Sequence, residues 1–289
     1  MTPRIVVLGD VMCDVVACHE APIAVGSDTP ARVVMRPGGS GASVAAWLAH
    51  AGVPVALIGR AGRDAAAEIA LRGLEGVDVR VARDDERPTG TCVVLVAPGG
   101  ERTMLPDAGA NDGLTPADLP DDLFAGPEVL HVAGYMLLRA GSRAAALAAL
   151  ERAREAGMRI SVDPSSAAPL RADPAFLDRA RPIDLLLPNA LEHAALPRLD
   201  GVREVVVTCG ADGARWTDGV AHAHVPALPL DDVRDTTGAG DAFAAGFLSA
   251  WPGPPEAALA AGVRLAAEAI ALEGARPMID RSVKGAENA

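Results

Sequence analysis

The chain has 289 residues, half of them hydrophobic, with 38 acidic side chains against 26 basic ones and a formal charge of −12. That length fits one large α/β domain with an accessory piece, and the apolar share excludes extended disorder away from the termini. The acidic balance argues against nucleic acid or an anionic membrane as the main partner, though a local anion hole and a metal can still hold a nucleotide's phosphates.

Residues 5–8 form a short apolar run ending at Gly9, the pattern of a buried parallel strand. Asp10 and Asp14 interrupt the apolar stretch that follows, so no signal peptide is expected. Residues 11–18 and 32–35 are β-like pieces, the second leading into Pro37-Gly38-Gly39. Residues 40–50 read as an alanine-rich helix stopped by Gly52. A strand over 55–58, a helix over 64–74 and a strand over 77–81 follow. Residues 91–96 and 102–105 flank Pro98-Gly99-Gly100, a hairpin signal. Strands are then expected over 129–132, 159–162, 185–187 and 205–208, with a helix over 142–156. Residues 216–225 read as a hairpin around Asp218-Gly219, and two helices flank Pro252-Gly253-Pro254-Pro255.

Apolar strands alternating with helices imply an α/β/α domain, a mostly parallel sheet covered on both faces. The β pieces near 11–37 and 88–106 break that alternation. They are expected to form a small antiparallel sheet, a lid over the strand C-terminal ends where open α/β sheets bind ligands. The four cysteines (Cys13, Cys18, Cys92, Cys209) form no CxxC pair, which fits reduced thiols in a cytoplasmic protein.

The run Asp235-Thr236-Thr237-Gly238-Ala239-Gly240-Asp241 carries the most chemistry. Small residues leave successive backbone amides free at the start of a predicted helix, where the dipole favours an anion. An aspartate in that positive funnel is placed to take a proton from a hydroxyl. An anion cradle beside a base is the minimum equipment for moving a phosphoryl group onto an alcohol. Lys284 is the only lysine, so neither a Walker A loop nor a protein-kinase strand lysine exists. A dinucleotide fingerprint fails because Phe243 stands where Gly or Ala is needed.

The segment 235–241 resembles the C-terminal signature of the ribokinase-like (PfkB) family of carbohydrate and nucleoside kinases. Pro37-Gly38-Gly39-Ser40-Gly41-Ala42 is similar to its N-terminal signature, and Asn189-Ala190-Leu191-Glu192 to its NxxE motif. Thr208-Cys209-Gly210-Ala211-Asp212-Gly213 resembles the strand-end loop beside the nucleotide. The resemblance spans nearly the whole chain and implies a single ribokinase-like domain over 1–289. It further implies an enzyme using ATP and Mg²⁺ to phosphorylate an alcohol group of a sugar or sugar derivative.

Carried over residue by residue, Asp241 is the general base and the amides of Gly238, Ala239 and Gly240 stabilise charge on the transferring phosphoryl. Asn189 and Glu192 act near the phosphates, Glu192 on Mg²⁺ through water, although Pro188 followed by this pair also reads as an ordinary helix cap. Thr208, Gly210 and Gly213 border the nucleotide. Asp235 and the carbonyl of Thr237 resemble monovalent-cation ligands (K⁺) of parts of the family. Asp14 and Gly39 hold the acceptor, with Met12 and Ser43 beside it.

The chain departs from its relatives at Ser40 and Ser43, where many carry lysine and asparagine, and at Met12, where a polar residue is common. No counterpart of the sugar-binding glutamate stands near Gly134 and Tyr135. D-ribose itself is therefore not implied. Neither expected lid piece carries an aromatic ring to stack a base, which favours a sugar over a nucleoside. A nucleoside kinase is the alternative substrate class, and a non-catalytic sugar-binding or regulatory protein the alternative of another kind. His222 and His224 alternate on a strand but lack a third metal ligand. Arg102 and Arg139 could meet a phosphate on the acceptor, and Trp47 reads as core. The resemblance and the exposed lid face suggest a homodimer.

Overall fold

The computed structural model describes residues 2–230 and 232–277. Lys284 and the remaining end of the expected domain lie outside these residues. Among the described residues no helix is long and apolar enough to cross a membrane.

Among the described residues nine strands make the main sheet: β1 (Ile5–Leu8), β4 (Val55–Gly62), β5 (Val77–Asp84), β8 (Val129–Ala133), β9 (Arg159–Asp163), β10 (Ile183–Leu186), β11 (Val202–Thr208), β12 (Ala214–Thr217) and β13 (His222–Val225). Their order is β13-β12-β11-β10-β9-β8-β1-β4-β5. All pairings are parallel except those of the β11–β12–β13 hairpins at one edge. All four residues of β1 are buried, and alternate ones serve opposite faces. Ile5 and Val7 join a core with Trp47, Phe243, Phe247 and Leu259, under the Ser40–His50, Ala239–Ala250 and Pro255–Ile270 helices. Val6 and Leu8 join another with Met136, Leu150 and Phe176, under the Ala140–Glu155 helix. This is the expected three-layer arrangement, and Trp47 is core, its indole nitrogen donating to the Ala275 carbonyl at 3.0 Å.

The small sheet runs β3-β2-β6-β7, with β2 Met12–His19, β3 Ala31–Gly38, β6 Gly90–Val96 and β7 Arg102–Asp107. Both outer pairings are antiparallel, as expected, but the central β2–β6 pairing is parallel. The cause is topological. β2 leaves the C-terminal end of β1 and β6 follows β5, and β1, β4 and β5 are parallel, so both lid strands set out in the same direction. Met12, Cys92 and Val94 form the buried inner face of the lid. Val33, Met35 and Leu105 stand exposed on the opposite face, and Met104, paired with Val94, is exposed on the cavity side.

The expected helix over 64–74 is shorter, Ala65–Ala70. Asp64 caps it, accepting from the Ala67 amide at 2.9 Å, and Gly73 and Gly76 at φ +73° and +84° turn the chain out of helical space. The strand expected over 185–187 runs Ile183–Leu186; the Leu187 amide still donates to the Val162 carbonyl at 3.0 Å, and Pro188, lacking an N–H, ends the ladder.

Candidate active site

The lid covers the C-terminal ends of the central strands and encloses a cavity of about 430 Å³. Asp10 reaches it from the end of β1, Asp163 from β9, and Asn189 and Glu192 from the segment after β10. Met12 and Asp14 enter from the lid, and the turn 238–241 forms the opposite wall.

Gly238 caps the Ala239–Ala250 helix in the left-handed region, φ +76°, and a Cβ there would meet the Ala275 carbonyl at 2.6 Å. Gly240 is different: a Cβ would meet nothing within 4 Å, because it would point into the open cavity. The Ala239 amide already bends back to the Thr236 carbonyl at 3.3 Å. Among the described residues the amides of Gly238 and Gly240 have no acceptor within the protein. Two open donors at a helix N-terminus are an anion hole.

Asp241 lies in the first turn of that helix. Burial pushes its carboxyl up to about 7; a 2.7 Å bond from the Ser40 hydroxyl opposes this, Asp10 and Asp14 add to it, and Arg276 counters it. Ser40, one of the departures from the family pattern, thus supports the acid that the pattern requires. Arg276 is fully buried and donates to the carbonyls of Ala70 and Arg72 at 2.8 Å and to that of Gly38. Burial lowers it to about 10 while Asp14, Asp241 and Asp10 pull it back up, so it remains the cation beneath three carboxylates.

On the acceptor side Asp14 lines the cavity, pushed up to about 6 by burial and by Asp10, against Arg276. Gly38 must lack a side chain, since a Cβ would strike the Asp14 carboxylate. Gly39, at φ +92°, packs so closely that a Cβ would meet the Asp10 carbonyl at 2.5 Å. Met12 and Ser43 also line the cavity, and among the described residues the buried Ser43 hydroxyl has no partner, which suits contact with a polar ligand. Tyr135 lines the same space, with the Arg139 guanidinium 5.0 Å from its ring centroid.

Asn189 and Glu192 form a reciprocal capping box: the Asn189 side chain accepts from the Glu192 amide at 2.9 Å, and Glu192 Oε2 accepts from the Asn189 amide at 2.8 Å. The cap reading is therefore correct, and it leaves Glu192 Oε1 for the cavity. Burial raises Glu192 despite those bonds, and burial with the charges of Glu192 and Asp241 raises Asp163 well above the ordinary carboxylate range. Glu192 and Asp163 are the oxygen donors at this end of a kind that Mg²⁺ prefers, the rest of its shell being left to water, since among the described residues no three His, Cys, Asp or Glu side chains gather as a metal-binding group. Thr208, Gly210 and Gly213 border a second, mostly apolar cavity of about 180 Å³ with Leu228, Val263 and Ile270, adjoining Gly240. A flat apolar ring could lie there with its phosphates toward the turn.

Asp235 is engaged within the protein. Its carboxylate accepts from Arg102 at 2.6 Å and from the amides of Thr237 and Gly274 at 2.8 and 3.0 Å. Arg102 is thus committed to this pair and to the Thr236 hydroxyl at 2.6 Å, rather than free for a phosphate. His222 and His224 stand on the edge strand, exposed, and His224 bonds the Asp212 carbonyl at 2.8 Å. Asp10, Asp163 and Arg276 are site residues that sequence reasoning missed. Asp163 had one signal, an acid at a strand end before Pro164; Arg276 had none, because its environment is assembled from distant segments.

Residues 2–281 match the family described as pfkB family carbohydrate kinase. A fructokinase from Klebsiella pneumoniae is 35% identical over 272 residues, covering 86% of this chain and 84% of its own. An ATP-dependent ribose-1-phosphate kinase from Halopiger xanaduensis is 34% identical over 226 residues, covering 74% and 73%. In structure, an adenosine kinase from Sinorhizobium meliloti superimposes with a TM-score of 0.87 at 24% identity, covering 96% and 97%. A ribokinase-type structure from E. coli in complex with ATP and Mg²⁺ does so at 0.82 and 21%, covering 94% of each chain. With the fold, the anion-hole turn and a match over almost its entire length in agreement, the chain belongs to the pfkB family of carbohydrate kinases and phosphorylates a hydroxyl group of a sugar.

Proposed function

We propose that Asp241 is the general base of this kinase and that Gly238 and Gly240 form its anion hole. The acceptor hydroxyl is held between Asp14 and Asp241, and Ser43 and Gly39 bound the remainder of the sugar. The hydroxyl oxygen attacks the γ-phosphorus of ATP, the bond to the β,γ-bridging oxygen breaks, and ADP leaves. The hydroxyl proton passes to Asp241. The two open amides at the helix N-terminus receive the charge that develops on the transferring group. Mg²⁺, when bound, neutralises phosphate charge, and Glu192 through Oε1 and Asp163 are the carboxylates placed to hold it or its waters.

The carrying observation is the state of Asp241. A carboxyl raised to about 7, oriented by Ser40 and set beside the two open amides, has the affinity for protons that a base near neutral pH needs. Thr208, Gly210 and Gly213 with their apolar cavity are proposed to take the adenine. Ala239 contributes by shaping the turn, since its own amide is engaged with Thr236.

A sugar is favoured over a nucleoside because the lid residues that line the cavity, Met12, Cys92, Val94 and Met104 among them, carry no aromatic ring to stack a base. The cavity's two rings, Tyr135 and Phe243, come from the main domain. The fructokinase and ribose-1-phosphate kinase relatives support the same choice. The exposed Val33, Met35 and Leu105, on the lid face away from the cavity, support a homodimer through the lid, and four free thiols support a cytoplasmic setting. The test is ADP release from ATP across hexoses, pentoses, sugar acids, sugar phosphates and nucleosides. Acceptor-dependent turnover with a sugar supports the reading, and turnover confined to nucleosides overturns the substrate assignment.

A further inference from the structure

The family resemblance implies a monovalent-cation site at Asp235 and Thr237, and the residues there do not fit one. A carboxylate offers about four lone-pair positions. Oδ1 of Asp235 already accepts from Arg102 Nη2 at 2.6 Å and from the Thr237 amide at 2.8 Å, and Oδ2 accepts from the Gly274 amide at 3.0 Å. Burial pushes this carboxyl up, but the bonds from Thr237 and Gly274 and the charge of Arg102 outweigh it, so it stays ionised and satisfied. The space beside it, about 120 Å³, is bordered by four guanidinium side chains, Arg32, Arg36, Arg102 and Arg234, against the carboxylates of Asp14, Asp235 and Glu273. Arg36 is paired with Glu273 at 2.6 Å, Arg102 with Asp235 at 2.6 Å and Arg234 with Asp232 at 3.3 Å. A cation entering there must therefore compete with guanidinium groups already seated on the carboxylates.

Arg102 belongs to β7 of the lid, yet its two terminal nitrogens grip the residues just before the anion hole, Asp235 and Thr236. Arg36, on lid strand β3, pairs with Glu273 at 2.6 Å, next to the Gly274 amide that holds the other oxygen of Asp235. Two lid arginines therefore converge on the two strands of chain that support the turn. We propose that Arg102 takes the place of a monovalent cation in this kinase, so that the 235–240 turn is ordered by lid closure rather than by K⁺. Arg102 touches no reacting atom; it is a positioning residue. The proposal rests on the phosphotransfer reading of that turn. A planar fork with fixed donors also specifies the turn's geometry more tightly than a spherical ion held by the same oxygens.

The test compares the wild-type protein with Arg102→Gln and Arg102→Lys in choline, Na⁺ and K⁺ chloride at equal ionic strength. Two quantities are read: ATP turnover with the best acceptor, and melting temperature without any acceptor. The wild type is expected to vary by less than about twofold in turnover among the salts and to show no K⁺-specific rise in melting temperature. Arg102→Gln, with Asp235 relieved of its guanidinium, should lose about tenfold or more of kcat in choline. K⁺ should then restore turnover and raise that variant's melting temperature. Arg102→Lys, which keeps the charge, should stay indifferent to K⁺. A K⁺ response of the wild type in either readout overturns the proposal, as does an Arg102→Gln protein with full turnover in choline or with a loss that K⁺ does not repair. The melting arm needs no turnover, so failure of the kinase reading itself, seen as no acceptor consumed, is distinguished from failure of the cation proposal.

Discussion

Replacing Asp241 by Asn removes the proposed base while keeping its shape and an oxygen for the Ser40 hydroxyl, which now donates to it at 2.7 Å. A positioned general base contributes ~10²–10⁴-fold, so kcat should fall by that factor, about 3–5 kcal/mol of barrier, with KM for the acceptor little changed. Stability should move in the opposite direction. The folded protein holds the Asp241 proton up to about pH 7, whereas an unfolded aspartate releases it near 3.8. Across that interval the native state binds more protons, so the contribution of Asp241 to stability falls as pH rises and is lowest above 7. Asn has no charge to bury and escapes this loss. Between pH 5 and pH 8 the advantage of the variant should grow by about 3 kcal/mol at most, from two pH units at ~1.4 kcal/mol each, and by about 1–2 kcal/mol once water in the open cavity is counted. In a chain of this size that is roughly 2–6 °C in Tm. Steady-state ADP release gives the first quantity, and melting curves of both proteins at pH 5 and pH 8 give the second. Turnover within about threefold of wild type, or a Tm difference that is the same at both pH values, refutes the reasoning.

Asp14→Asn should raise the acceptor KM about 10-fold or more while kcat falls less, because a charged acceptor of hydroxyl bonds is lost from binding; saturation curves at fixed ATP check it. Gly240→Ala should fold normally, since its Cβ meets nothing within 4 Å, yet raise the KM for ATP by placing a methyl where phosphates approach. Equal ATP affinity in that variant would remove the phosphates from this wall. Ser40→Ala should shift the acidic limb of the kcat/KM profile to higher pH, as the bond that favours ionised Asp241 disappears. Arg276→Met should cost about 3–5 kcal/mol in urea unfolding, because three carboxylates lose the buried cation beneath them and three carbonyls lose a donor.

The main sheet was legible because its strands are buried on both faces and read as continuous apolar runs between glycines, and the Ser40–His50 helix was found to the residue. The parallel centre of the lid was not legible, since the direction of β6 relative to β2 depends on how β1 and β5 lie in the other sheet. In the site, the turn 238–241 announces itself by composition. The Ala239 amide does not: whether it is free depends on the bend at Thr236, which spacing cannot show. Asn189 and Glu192 were legible twice over, as a cap and as a motif, and the geometry allows both because the cap uses one carboxylate oxygen. Arg276 and the Arg102–Asp235 pair join segments more than 100 residues apart, so no local pattern records them.

The central claim is that a sugar hydroxyl gives its proton to Asp241 while it receives the γ-phosphoryl group. It is tested most directly by following sugar phosphate and ADP together, by ³¹P NMR, in wild-type and Asp241→Asn protein supplied with ATP, Mg²⁺ and the acceptor panel. Equimolar sugar phosphate and ADP from the wild type, slowed about 100-fold or more in the variant with acceptor binding retained, is the predicted result. Sugar phosphate formed at a similar rate by both proteins, or ADP formed with no phosphorylated sugar, would contradict the account.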